Sequence, residues 1–298
     1  QPFYEKTVPL IEQRHIENVN TDTAIYAIGR NSGEGADRFN EPGDYLLMDA
    51  EIKNLTFLAQ HFKKVIVLLN VGGVIHLSPI LSIEGISAIL YVSQCGNQMG
   101  NIVADLLLGK VSPSGKLSTT WAAKYEDYPS ATEFAHVNGN WHDEYYKEGI
   151  YVGYRYFDKF NITPQYCFGY GLGYSTFSIE NAQVEVNIDH ITVKATVKNT
   201  GTTYSGKEVV QVYVSCPSHH INKPFQVLVG FGKTKTLAPG ENDELTIECP
   251  LRHCASYCSK YSRWILDSGT YAVRVGNSSR STHVYAKFEL DRVAVLEQ

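Results

Sequence analysis

The chain has 298 residues, 43% of them hydrophobic and 19% charged, the balance of a globular protein with room for two domains of ordinary size. A formal net charge of −5 and the lack of a dense Lys/Arg run exclude an electrostatic attraction to nucleic acid or an anionic membrane surface. No stretch approaches the ~18 consecutive apolar residues of a membrane span.

Residues 1–22 show no clean period. Residues 23–29 predict a buried strand, and IYAIGRNSGEGAD at 25–37 then runs into a glycine-flanked acidic loop. Glu34 stands between Gly33 and Gly35, where only backbone competes for space. A carboxylate on the loop after a parallel strand lies where open α/β sheets bind ligands, so Glu34 is the candidate catalytic acid; the bland reading is a surface turn. Asp37 and Arg38 are expected to pair with each other or to cap the loop. A turn at Pro42-Gly43-Asp44 precedes a helix with Asp49 as expected N-cap and Ile52, Leu55, Leu58, Ala59 and Phe62 at helical spacing.

Residues 65–69, apolar throughout, predict a strand covered on both faces. Asn70-Val-Gly-Gly breaks it, residues 86–92 form the next strand, and 96–108 the next helix, with Met99, Ile102, Val103, Leu106 and Leu107 on one face. Strand, helix, strand, helix with short loops predicts a mostly parallel sheet with right-handed crossovers and helices on both faces. The Pro-, Ser-, His- and Gly-rich stretch 125–140 is a long loop expected to rim a site. Aromatic residues then crowd around Glu148 and Arg155, which read as an internal ion pair or, for Glu148, as a rival acid.

Glycines 169, 171 and 173 mark a crossing, after which alternation of apolar and polar residues, clearest in HITVKATVK at 190–198, predicts an antiparallel β-sandwich. The expected domains are therefore 1–173, mostly parallel α/β, and 174–298, all-β. Six cysteines in a chain of this size suit reduced thiols and a cytoplasmic protein, with secretion the alternative. Cys249, Cys254 and Cys258 with His253 lack paired metal-ligand spacing, so no metal is expected; a disulfide within that trio is the expectation if the protein is exported. His219-His220 and the sequons at Asn54, Asn161 and Asn277 read as incidental. Aromatics at 12%, 20 of them Tyr, offer ring faces of the kind that stack on sugars.

SGEGADR at 32–38 resembles the acid/base loop of family 3 glycoside hydrolases of β-glucosidase and β-xylosidase type. VIVLLNVGG at 65–73, GNQMGNIVADLLLGKVSPSGKL at 96–117, EGIYVGYRYF at 148–157 and FGYGLGYSTF at 168–177 resemble the family's landmarks in order. GFGKTKTLAPG at 230–240 and WILDSGTYAVRVGNS at 264–278 resemble its fibronectin type III-like domain. The resemblance implies an α/β sandwich domain followed by a fibronectin type III-like β-sandwich, without the family's (β/α)₈ barrel. It implies a retaining β-glycosidase, most simply a β-glucosidase, in which Glu34 is the general acid/base and the nucleophilic aspartate lies in the barrel. The implied partners are a β-linked oligosaccharide or aryl glycoside and that barrel, with no nucleic acid, membrane, metal or organic cofactor; a homo-oligomer is allowed. A non-catalytic carbohydrate-binding or scaffold module is the competing reading, because one carboxylate cannot run a double displacement alone.

Overall fold

Runs of β-branched residues set the first sheet. In the computed structural model, which describes residues 8–30, 37–134, 138–140, 142–143, 145–260 and 262–296, β1 (Thr23–Gly29), β2 (Lys64–Asn70) and β3 (Ile86–Tyr91) form a parallel sheet in the order β1-β2-β3. The register pairs Thr23 with Lys64 and Gly29 with Asn70. Central β2 buries Val65, Val67 and Leu69 on one face, and its other face is partly covered. β1 was expected to be buried but is an edge strand of this sheet: Ile28 is buried, whereas Ile25 is 51% exposed.

Between β1 and β2 the chain crosses over as α1 (Asp49–His61), which packs Leu55 and Leu58 inward. Its N-cap is Met48, not the expected Asp49. Asp49 already has helical backbone, and the Glu51 carboxylate takes the Met48 N–H at 2.8 Å, filling the role a capping side chain would have had. Asp49 and Glu51 together put negative charge on the helix's positive end. Asn54, 1% exposed, accepts from Ile11 N at 2.8 Å and donates to Pro9 O at 3.0 Å. Its amide therefore ties down the lead-in segment, so this sequon is structural.

A short helix, α2 (Ser78–Leu81), which the sequence pattern did not reveal, precedes β3 and packs on α1. The expected second helix is a 3-10 turn, Gly96–Gln98, followed by α3 (Met99–Leu107). None of its apolar residues is fully buried.

The chain packs as two compact units, one of residues 1–104 and 121–144, the other of 105–120 and 145–298. The second unit begins its regular structure with α4 (Tyr154–Lys159) and continues in strands β4 (Phe177–Val186), β5 (His190–Asn199), β6 (Val209–Ser215), β7 (Val227–Lys233), β8 (Asn242–Pro250), β9 (Ser256–Cys258), β10 (Arg263–Leu266), β11 (Gly269–Ser278), β12 (Ser281–Leu290) and β13 (Ala294–Leu296). All their pairings are antiparallel, in sheets ordered β12-β11-β6-β7, β4-β5-β8 and β13-β10-β9. The alternation in β5 appears directly as burial of Ile191, Val193, Ala195 and Val197. Of these, Ile191, Val193 and Val197 join Val210, Val212, Val214, Tyr271 and Val273 in the core.

β6 breaks the alternation, because its residues 210–214 are all buried. Its second face is covered from within the same unit: the Tyr154 ring meets Tyr213 edge-on at 5.8 Å, and Gln211 Nε2 donates to Asn277 O at 2.7 Å and to Gly169 O at 3.3 Å. The aromatic segment around α4 is thus a brace. Tyr154 Oη accepts from Leu228 N at 2.9 Å, and Asp158 receives Gln226 Nε2 at 3.0 Å and Arg280 Nε at 2.9 Å.

The glycines at 169–173 have an equally local reason. Leu117 N donates to Tyr170 O and Gly169 N to Leu117 O, both at 2.8 Å. A Cβ on Gly171 would collide with Gly115 O, and one on Gly173 would lie 2.6 Å from Pro113 O. The two motifs, some fifty residues apart, lie backbone against backbone, and Lys116 closes the contact on Glu208 at 2.7 Å.

His219-His220 is not incidental. Asp267, whose side chain is 0% exposed, accepts from His219 N at 2.9 Å, His220 N at 2.7 Å and Ser268 N at 3.1 Å, and meets His220 Nδ1 at 2.5 Å. Burial alone would raise its pKa, but the His220 backbone and ring and the His219 N–H outweigh it and hold the carboxyl at about 2, below its ordinary 3.8. A depressed carboxyl stabilises the fold above the unfolded-state value, and that contribution is lost as pH falls through the folded one. Urea titrations of wild type and Asp267→Asn should therefore differ by about 2 kcal/mol above pH 4, with the difference closing as pH falls toward 2.

Candidate functional site

The carboxyl edge of the parallel sheet is where an α/β fold of this kind presents loops to a ligand. The ladder continues past the strands: Arg30 N donates to Asn70 O at 3.1 Å and Val92 N to Leu69 O at 3.0 Å. Ser93, directly after, has a φ of 53°, a left-handed backbone that a residue with a Cβ rarely adopts.

Arg30 then turns its side chain back under the edge. Its guanidinium binds the Glu51 carboxylate through two parallel bonds, Nη1 to Oε1 at 2.8 Å and Nη2 to Oε2 at 2.7 Å, and the two side chains are 3% and 4% exposed. Its Nε donates to Asp44 O at 2.8 Å and Nη1 also to Gly29 O at 2.8 Å. A buried guanidinium is costly unless its donors and charge are both satisfied, and here they are.

Residue 38 re-enters from the other side. Arg38 Nε reaches Asp44 Oδ1 at 2.6 Å, Nη2 donates to Asp44 O at 2.9 Å and Nη1 to Val74 O at 2.7 Å. Phe39 N donates to Asp44 Oδ2 at 2.7 Å. Asp44 thus ties both flanks of residues 31–37: its carbonyl receives both arginines, and its carboxylate holds Arg38 and Phe39. Gly73 leaves room for this, since a Cβ there would sit 3.2 Å from Arg38 Nη1.

An aromatic group stands beside the clamp. Tyr45 stacks on His76 at 6.1 Å and meets Tyr125 and Tyr128 edge-on at 5.3 and 6.4 Å. Tyr125 belongs to a 3-10 turn, Tyr125–Asp127, so the start of the long loop expected at 125–140 is anchored. Burial raises the phenols of Tyr45, Tyr125 and Tyr128 above their usual range, so they stay neutral, and Tyr128 Oη accepts from Ala122 N at 3.0 Å.

Glu34, with Gly33 and Gly35, lies outside the described residues. Asp37 is exposed, and Arg38 pairs with Asp44 rather than with Asp37, because the turn at 42–44 brings a carboxylate and a carbonyl to the guanidinium together. Asp143 is exposed and bonded to Asn140. Glu148 is half-buried, and the expected ion pair with Arg155 does not form: the Arg155 guanidinium lies 5.9 Å from the Tyr154 ring centroid. Sequence reasoning placed Asp44 only in a turn and did not single out Arg30 and Glu51. The available signal was a charge ending an apolar strand, which must find a partner if it is buried.

Among the described residues no three His, Cys, Asp or Glu side chains gather as metal ligands. Cys249 lies against Gly230, where a Cβ would meet its Sγ at 2.5 Å, and His253 Nδ1 faces Val229 O at 3.0 Å.

Residues 10–154 match the glycosyl hydrolase family 3 C-terminal domain, and 208–279 the fibronectin type III-like domain. A β-glucosidase of Ruminococcus albus is 40% identical over 100% of this chain and 32% of its own length. Beta-glucosidase A of Butyrivibrio fibrisolvens is 38% identical over 93% of this chain and 38% of its own. The structure of β-glucosidase 3B from Thermotoga neapolitana in complex with glucose superposes with a TM-score of 0.85 at 41% identity, covering 93% of this chain and 39% of that one. The chain therefore spans roughly a third of the length of the relatives it matches.

Removing one partner of the buried pair strands the other. Arg30→Met should cost about 3–5 kcal/mol in urea unfolding, whereas Arg30→Met/Glu51→Met should cost less than that single change, since no unpaired charge remains.

Proposed function

Because the chain belongs to glycoside hydrolase family 3, with that family's C-terminal domain followed by its fibronectin type III-like domain, we propose that it forms part of a retaining β-glycosidase of β-glucosidase type. In this reading Glu34 is the general acid/base, and the nucleophile is an aspartate in a (β/α)₈ barrel outside these 298 residues. The substrates are β-linked oligosaccharides and aryl glycosides. The observation that carries the reading is the two-sided clamp at the sheet's carboxyl edge: Arg30 and Arg38, on either side of residues 31–37, both bond to Asp44 O.

The chemistry follows from two carboxyl groups. The aspartate attacks the anomeric carbon while Glu34 gives its proton to the departing oxygen, leaving a covalent glycosyl-enzyme. Glu34, now a carboxylate, takes a proton from water as that water attacks the same carbon; the sugar leaves with retained configuration and both carboxyls return to their starting states. Retention requires the two carboxyls about 5–5.5 Å apart. Residues 1–298 by themselves are therefore expected to hydrolyse no aryl glycoside above background.

In the complete enzyme Glu34→Gln should lower kcat/KM by ~10²–10⁴ on alkyl glycosides and far less on activated aryl glycosides, which need no protonation to depart. It should also flatten the alkaline limb of the pH–rate profile, and azide should restore turnover as a glycosyl azide of retained configuration. Equal losses on both substrate types without azide rescue, with both signatures appearing instead in Glu148→Gln, would move the acid to Glu148.

A further inference from the structure

All six cysteines are thiols in this structure, and two of them face each other across the β-sandwich. Cys216 follows β6 in one sheet, and Cys254 ends the 3-10 turn Leu251–Cys254 that follows β8 in the other. They are 38 residues apart in sequence. Cys216 Sγ lies 3.8 Å from Cys254 O, so the two cysteines are neighbours in space although distant in sequence. Cys254 belongs to the hydrophobic core, and Cys216 packs against it half-buried, at the solvent end of the pair.

A third group completes the cluster. Lys223 is buried, and its Nζ donates at 3.0 Å to Cys254 O, the same carbonyl that Cys216 Sγ approaches. The neighbouring Cys254 draws the pKa of the Cys216 thiol below its ordinary value; burial opposes this and the Lys223 charge assists it. The same contact, with burial, pushes the Cys254 thiol up. Cys216 is the more exposed of the two and Cys254 the more buried, the placement that suits an attacking and a resolving cysteine. Cys249 and Cys258 are placed otherwise: Cys249 packs on Gly230, and Cys258 lies in β9 opposite Arg263.

We propose that Cys216 and Cys254 are a redox-active dithiol that low-molecular-weight disulfides convert to a cystine joining the two sheets of the sandwich. The Cys216 thiolate attacks one sulfur of a disulfide such as oxidised glutathione, forming a mixed disulfide and expelling one glutathione thiolate. The thiol of Cys254 loses its proton to that thiolate, attacks the Cys216 sulfur and expels the second glutathione. Two protein thiols are oxidised by two electrons, and one small disulfide is reduced to two thiols. The new bond closes a loop of about forty residues across a β-sandwich, which constrains the unfolded chain strongly. This pairing differs from the one expected within Cys249, Cys254 and Cys258.

The chain is equilibrated with oxidised glutathione, acid-quenched, alkylated and mapped by mass spectrometry, with melting followed in parallel. The expected result is a Cys216–Cys254 linked peptide and a melting temperature raised by about 5–15 °C, returned to its starting value by dithiothreitol. Cys258→Ser should keep both effects, and Cys216→Ser should lose both. Finding Cys216 and Cys254 fully alkylated, or Cys254 joined to Cys258 or Cys249, overturns the proposal. The peptide map is read on the wild-type chain, so its outcome does not depend on any variant folding.

Discussion

A guanidinium taken out of water at the end of a strand is the constraint on which the first unit turns. Arg30 ends an apolar run whose ladder to β2 draws it below the surface, so its charge and donors must be met there or the strand cannot seat. Glu51 meets the charge, and carbonyls of residues 29 and 44 take further donors. The helix carrying Glu51 is thereby fixed against the sheet, with the same carboxylate closing its N-terminus, and the turn carrying Asp44 is fixed above it. One buried pair thus sets the positions of strand, helix and turn together.

Asp44 extends this rigidity to the far flank of residues 31–37. Its carbonyl and carboxylate accept from Arg38 on the return side, so the chain leaves from and returns to anchored positions. A catalytic carboxylate must be held within a fraction of an ångström of its partner to be useful. The proposed role of Glu34 requires such positioning, and the clamp holds the described residues 30 and 38 on either side of it. The glycine pair after β2 belongs to the same device, because Gly73 admits the Arg38 guanidinium alongside the backbone.

The second unit is governed by a different requirement, that a strand buried on both faces be covered twice. β6 is sealed on one side by the sandwich core and on the other by Tyr154 and the chain around Gly169. Of the aromatic residues between 145 and 160, Tyr154 supplies that cover, whereas Tyr145, Tyr146 and Phe160 stay exposed. The run of glycines at 169–173 lets two lengths of backbone come together where side chains would hold them apart.

Local pattern was enough for much of this. The apolar runs of β1 and β2, the three-and-four spacing of α1, the alternation of β5 and the switch between the two regimes near residue 175 are properties of short windows, so they identified a parallel α/β part and an antiparallel β part. The order of motifs likewise carried the family. What short windows do not contain is distance between remote residues. That Arg38 meets Asp44 and not Asp37, that Glu51 rather than Asp49 closes α1, that Asp267 makes structural use of His219 and His220, and that Cys216 comes beside Cys254 all depend on where separate segments come to rest. Burial decides those pairings: once a charge or a thiol is removed from water its partner is whichever group the packing brings within reach, and that group is specified by the tertiary fold rather than by proximity along the chain.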